Sequence, residues 1–200
     1  MGRLDEVNQL VEESFSLPKQ TNSPVGTMRI AARELRAHGH EDAAMAILER
    51  AIQWYQSRPA EEMTGRDGGW VYATTLYYAR RWGEAKGIFE GLARNSPKES
   101  SDGWHYESWL GLIAARQGDR ERAMAVSQWL KDLKRPYLFG ANTYNRACIA
   151  AVLGDKDQAI ALLRESFLQG WPFMLDLHTD FNLESLWDYP AFKEILRPKG

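Results

Sequence analysis

The chain has 200 residues, 25 Lys and Arg against 27 Asp and Glu, a formal net charge of −2 and 44% apolar residues, which describes one ordinary globular domain or a short repeat array. A chain of this length buries roughly 70% of its unfolded surface and needs no metal or disulfide to fold; its 16 Gly and 8 Pro exclude collagen-like and low-complexity classes. The near-neutral charge argues against a general nucleic-acid binder, no uninterrupted apolar run is long enough for a membrane span, and the single cysteine, Cys148, cannot pair internally and fits a reducing, cytoplasmic setting.

Apolar residues recur at three- and four-residue spacing while two-residue alternation is missing, so the chain is predicted to be all-α. A first element covers Gly2 to Ser16. Long breaks then fall at Leu17 to Gly26, Ser57 to Gly69, Arg94 to Gly103 and Lys134 to Gly140. Short breaks lie between them at Ala37-His38-Gly39-His40, Gln117-Gly118-Asp119 and Leu153-Gly154-Asp155, where glycine can take the left-handed conformation that ends a helix. The alternation of long and short breaks is that of paired helices. After the last pair, Trp171-Pro172 interrupts the pattern, and Leu183 to Leu196 reads as two short helices with Pro190 in the first turn of the second and Asp188 as a candidate cap. Most of the 8 Trp and 8 Tyr are expected to fill the interior.

The pairs repeat. A small residue followed four positions later by a partner residue occurs at Val7 with Val11, Ala44 with Leu48, Ala85 with Phe89, Ala123 with Ser127 and Ala159 with Leu163, at spacings of 37, 41, 38 and 36 residues. Glycine stands five residues before the small one in four units (Gly2, Gly39, Gly118, Gly154), with Arg80 as the exception. Two helices joined by a tight turn cross closely only with a small side chain at the crossing, and pairs that retain an apolar face must stack.

These residues resemble the tetratricopeptide repeat family. Leu110-Gly111, with Ala114 in the family's tyrosine place, continues to Gly118 and Ala123; Trp82-Gly83-Glu84-Ala85 runs through Phe89 and Leu92 to Pro97. Weaker copies run from Met28 to Ala51 and from Thr143 to Ser166, whereas Glu107 and Thr143 replace the family's tryptophan and Arg146 its leucine. The resemblance implies an α-solenoid of helix hairpins in one domain, residues 1–200: a half repeat at 1–18, repeats at 27–59, 66–99, 104–136 and 139–171, and a C-terminal helical cap at 172–200. Gly2 to Ser16 look like the second helix of a pair whose first is absent. Phe181, Leu183, Leu186, Trp187, Phe192, Ile195 and Leu196 are expected to cover the last pair. The run from Asp180 to Leu196 is similar to the ends of repeat regions in bacterial multidomain signalling proteins such as kinases, nucleotide cyclases and transcription regulators.

Motifs for catalysis and cofactors are missing: there is no nucleophile elbow, phosphate loop, dinucleotide fingerprint or calcium loop. His40-Glu41 begins a zinc-helix motif, but Ala44 stands where the second ligand belongs. His38 and His40 read as turn residues, His178 and Asp180 as turn or capping residues, Asp155 and Asp157 as helix-start acids, and Cys148 as a packed small residue. No enzyme activity, cofactor or metal is expected.

In the family the first helix of each pair faces a concave groove, and helical spacing projects its inward positions. They are Arg29, Arg33 and Arg36; then Trp70, Thr74 and Tyr77; then Ser108, Leu112 and Ala115; then Tyr144, Cys148 and Ala151. A groove cationic at one end, aromatic in the middle and apolar at the other suits an acidic-aromatic peptide. The resemblance therefore implies a noncatalytic scaffold binding a protein or peptide, with no nucleic acid and no membrane insertion. Its alternative is a regulatory segment of a larger signalling protein whose groove holds its own C-terminal tail, since Leu112, Ala115 and Ala151 would fare badly in water.

Overall fold

The computed structural model describes residues 4–16, 24–59, 61, 66–173 and 175–197, among which every regular element is helical and no strand occurs. The expected Gly2 and most of the break after Leu17 lie outside the described residues. The chain divides into two compact units, Met1–Arg81 and Trp82–Gly200, so the boundary falls inside the expected repeat 66–99.

In the first unit, α1 (Leu4–Ser14) packs on α2 (Pro24–Ala37), α2 on α3 (Glu41–Gln56), and α3 on α4 (Val71–Tyr78), which is entered through a π-helical turn, Arg66–Trp70. The second unit holds α5 (Trp82–Arg94), α6 (Gly103–Arg116), α7 (Arg120–Asp132), α8 (Ala141–Val152) and α9 (Lys156–Leu168). Each helix there packs on a near neighbour: α5 on α6, α6 on α7, α7 on α8, α8 on α9, and α6 also on α8. Two 3-10 helices, Leu175–Thr179 and Phe181–Leu186, and α10 (Pro190–Leu196) complete it. Among the described residues no helix is long and apolar enough to cross a membrane.

The short turns share one closure. The amide of His40 donates to the Leu35 carbonyl at 2.8 Å, Asp119 to Ala114 at 2.9 Å and Asp155 to Ala150 at 2.9 Å, around glycines at φ 82°, 80° and 83°. This six-residue loop satisfies a carbonyl orphaned by the helix end and requires a left-handed residue, hence glycine. Arg81 closes on Leu76 in the same way at 2.9 Å, and Arg80, the exception in the glycine register, holds φ 61°.

The small-residue register coincides with the interior. Ala44, Ala85, Ala123 and Ala159 are fully buried, as are Val11, Phe89 and Leu163 on the following turns. Val7 is the departure, only half-buried. At the α6–α7 crossing the helices approach closely: a Cβ on Gly111 would lie 2.6 Å from Val126 Cγ1. A fully buried side chain such as Phe89 contributes about 1.5–3 kcal/mol, so close crossings that multiply such contacts hold the hairpins together.

At the C-terminal end Phe181, Leu183, Leu186 and Phe192 are buried, whereas Trp187, Ile195 and Leu196 stay half-exposed. Pro190 opens α10 as expected, but Asp188 does not cap it: Tyr189 occupies the N-cap position and Asp188 pairs with Lys193 at 3.0 Å. A carboxylate caps the preceding 3-10 helix instead: Asp180 Oδ1 accepts from the Asn182 amide at 2.9 Å. Among the tryptophans only Trp104 is fully buried; the other seven sit half-exposed along the seams, so the expected interior role falls mainly to Tyr55, Tyr77, Tyr78 and Tyr106.

Candidate functional site

In the first unit the expected cationic row divides. Arg36 is 5% exposed and grips Glu41 with two bonds, Nε to Oε2 at 2.6 Å and Nη2 to Oε1 at 2.5 Å, while Nη1 donates to the Tyr78 carbonyl at 3.2 Å. The Arg36 guanidinium holds the Glu41 carboxyl below the usual carboxylate range, helped by the charge of Arg80. Arg36 is thus a tie between α2, the start of α3 and the end of α4, and its donors are already engaged. Arg29 is half-buried with its guanidinium 5.5 Å from the centroid of Trp70 and 5.9 Å from that of Tyr78; its Nε is shielded without a hydrogen-bond partner. Arg33 and Trp70 are half-exposed. Thr74 and Tyr77 are fully buried, and the Thr74 hydroxyl donates to the Val71 carbonyl at 2.9 Å. The half-exposed part of the row is therefore Arg29, Arg33 and Trp70; Arg36, Thr74 and Tyr77 belong to the interior.

In the second unit the projected positions are covered. Ser108 is buried, its hydroxyl turned back onto the Trp104 carbonyl at 2.8 Å, and Leu112, Ala115, Cys148 and Ala151 are buried too. The cover on α8 comes from the residues after α9. Trp171 stacks on Tyr144 with ring centroids 5.0 Å apart, and the Tyr144 hydroxyl donates to Asp180 Oδ2. The Ser185 hydroxyl donates to the Ala151 carbonyl at 2.7 Å. From α6, Arg116 donates to the Phe181 carbonyl at 2.7 Å, lies 5.2 Å from that ring's centroid and stands 3.9 Å from Glu184. The three hydrogen-bonded latches join residues 34, 36 and 65 positions apart, two of them to a backbone carbonyl, and they fix the tail in one register rather than merely shielding apolar surface.

Beneath the tail lies Cys148. Burial, and then the negative charge of Asp180, push its thiol well above the ordinary range. Glu107 lies 3.8 Å from Lys98 and 3.5 Å from Arg122, which accounts for a carboxylate in a mostly buried place. Asp155, at the start of α9, pairs with Arg120 at 2.7 Å.

Two apolar hollows escaped the sequence reading. One, of about 690 Å³, lies between α1 and α2 and is lined by Leu4, Val7, Leu10, Ile30, Ala31 and Leu35. Its signal was present in Leu10 and Ile30, large apolar residues 60% and 64% exposed on otherwise polar faces. The other, of about 670 Å³, lies among Phe167, Leu168, Phe173 and Ile195, bordered by Arg164 and Arg197. Comparison of the chain with family models, with curated proteins and with solved structures finds no match.

Proposed function

We propose that this chain is a noncatalytic protein-interaction module of tetratricopeptide-like helix hairpins, with the peptide-binding face of its second unit held by its own C-terminal tail. The observation that carries the reading is the set of latches from Trp171, Asp180, Phe181 and Ser185 onto Tyr144, Arg116 and Ala151. A segment that lies on a helix face through stacking, hydroxyl and backbone bonds occupies it as a peptide ligand would. A partner gains this face by displacing the tail, which makes the tail a regulator of access; Arg29, Arg33 and Trp70 remain as half-exposed surface for an acidic partner. The setting as a cytoplasmic, regulatory segment of a larger signalling protein rests on the likeness of residues 180–196 alone.

A tail peptide supplied in trans tests this. Leu183 is a fully buried residue of the tail itself, so Leu183→Asp puts a charge on the tail's inner face and is expected to drive the tail out. A fluorescent peptide of residues 171–197 is expected to bind the full-length Leu183→Asp chain with a Kd in the micromolar range, and the wild type about tenfold or more weakly, because its own tail competes. Equal affinity for both chains, or no binding by a Leu183→Asp chain that keeps its helix content, would contradict the proposal.

A further inference from the structure

We infer that the hollow between α1 and α2 is a docking groove for a partner's amphipathic helix with basic residues along the flanks of its apolar ridge. The inference deepens the interaction reading by naming a partner class, but it concerns only the first unit and stands or falls apart from the tail.

The groove has the form that accepts a helix. α1 offers Leu4, Val7 and Leu10, three residues apart on one face, and α2 offers Ile30 with Ala31 and Leu35, the last two four residues apart. Leu10 and Ile30 stand 60% and 64% exposed on the two walls, and a volume of about 690 Å³ accommodates several large side chains from a guest. An exposed apolar face of two facing helices marks an interaction site more often than a chance exposure.

Charge selects the guest. α1 carries Asp5, Glu6, Glu12 and Glu13 and no Lys or Arg. At 100° per residue, Glu6 and Glu13 fall beside Leu10 on the outer edge of the groove, while Asp5 and Glu12 fall on the far side, where Glu12 takes Arg50 at 2.7 Å. On the opposite wall Glu34 lies within the lining, 3.8 Å from His38. Of the cations of α2, Arg29 lies over Trp70 and Tyr78 and Arg36 is bound to Glu41, while Arg33 falls beside Ile30 at the outer edge of that wall. The carboxylates bordering the trough, Glu6 and Glu13 on α1 and Glu34 on α2, outnumber the one flanking arginine, Arg33, so a guest with Lys or Arg flanking its apolar ridge meets a rim of net negative charge. A second copy of this chain, pairing symmetrically, would set acidic α1 against acidic α1, and like charges across an interface oppose that arrangement.

The test uses the full chain and synthetic helices of about four turns with a leucine ridge at i, i+3, i+4 and i+7. One peptide carries Lys on its flanks, one Glu, and one is the Lys peptide scrambled to destroy the ridge. The Lys-flanked helix is expected to bind wild type, to bind more weakly as salt rises, and to lose about tenfold or more in affinity to Leu10→Asp and to Ile30→Asp. Because both residues are exposed, these variants keep the wild-type helix content and melting temperature, which circular dichroism checks. Absence of binding to wild type, equal binding of the Glu-flanked or scrambled peptide, or equal binding to both Asp variants would overturn the inference. So would sedimentation showing a dimer that Leu10→Asp dissociates, since the occupant would then be a second copy.

Discussion

Arg80 holds a backbone conformation that glycine holds at three equivalent turns. A left-handed conformation costs a non-glycine residue about 1 kcal/mol, partly offset here by the exposed pair with Glu41 at 3.1 Å, which contributes at most about 1 kcal/mol. Arg80→Gly is therefore expected to be neutral to stabilising by up to about 1 kcal/mol. Gly118→Ala is expected to destabilise by about 1 kcal/mol although nothing lies within 4 Å of the added Cβ, because the penalty is conformational. Denaturant midpoints check both; a neutral Gly118→Ala would mean the turn does not need the left-handed residue. The same scale explains which site residues misled. Arg36, Thr74 and Ser108 are polar, yet each spends its polar atoms locally: on Glu41 and the Tyr78 carbonyl, on the Val71 carbonyl, and on the Trp104 carbonyl. A side chain satisfied in this way can be buried at little cost, so polarity did not mark exposure.

At the scale of the element, the register of small residues was legible because crossing helices demand it, and Ala44, Ala85, Ala123 and Ala159 are all buried where that demand falls. Which row of a first helix stays open was not legible. α6 packs on α5, α7 and α8, so apolar residues recur on several of its faces and periodicity alone cannot choose among them. The α6–α7 crossing gives the clearest mutational handle. Gly111→Ala drives a methyl to 2.6 Å from Val126 Cγ1 and is expected to cost about 1–3 kcal/mol. Gly111→Ala with Val126→Ala should recover part of that loss relative to the sum of the single changes, since the two side chains compete for one space. Strict additivity in a thermal or urea double-mutant cycle would show that the helices are not in contact there.

Across the whole molecule, composition and periodicity were enough for an all-helical chain, and Phe181, Leu183, Leu186 and Phe192 were legible as a buried C-terminal cluster. The latches were not: Tyr144 with Asp180, Ala151 with Ser185 and Arg116 with Phe181 join positions too far apart for any local pattern to announce them. The groove of the first unit was missed for the opposite reason, since single exposed apolar residues such as Leu10 and Ile30 are common and only their convergence gives them meaning.

The central claim is that the tail lies on α8, and the measurement that reaches it most directly is the rate at which a thiol reagent modifies Cys148, the only cysteine, in the native full-length chain near pH 8. Burial under the tail predicts modification orders of magnitude slower than for an unfolded control, and acceleration by Leu183→Asp without loss of helix content. Modification of the folded wild type at the rate of a free thiol would contradict it.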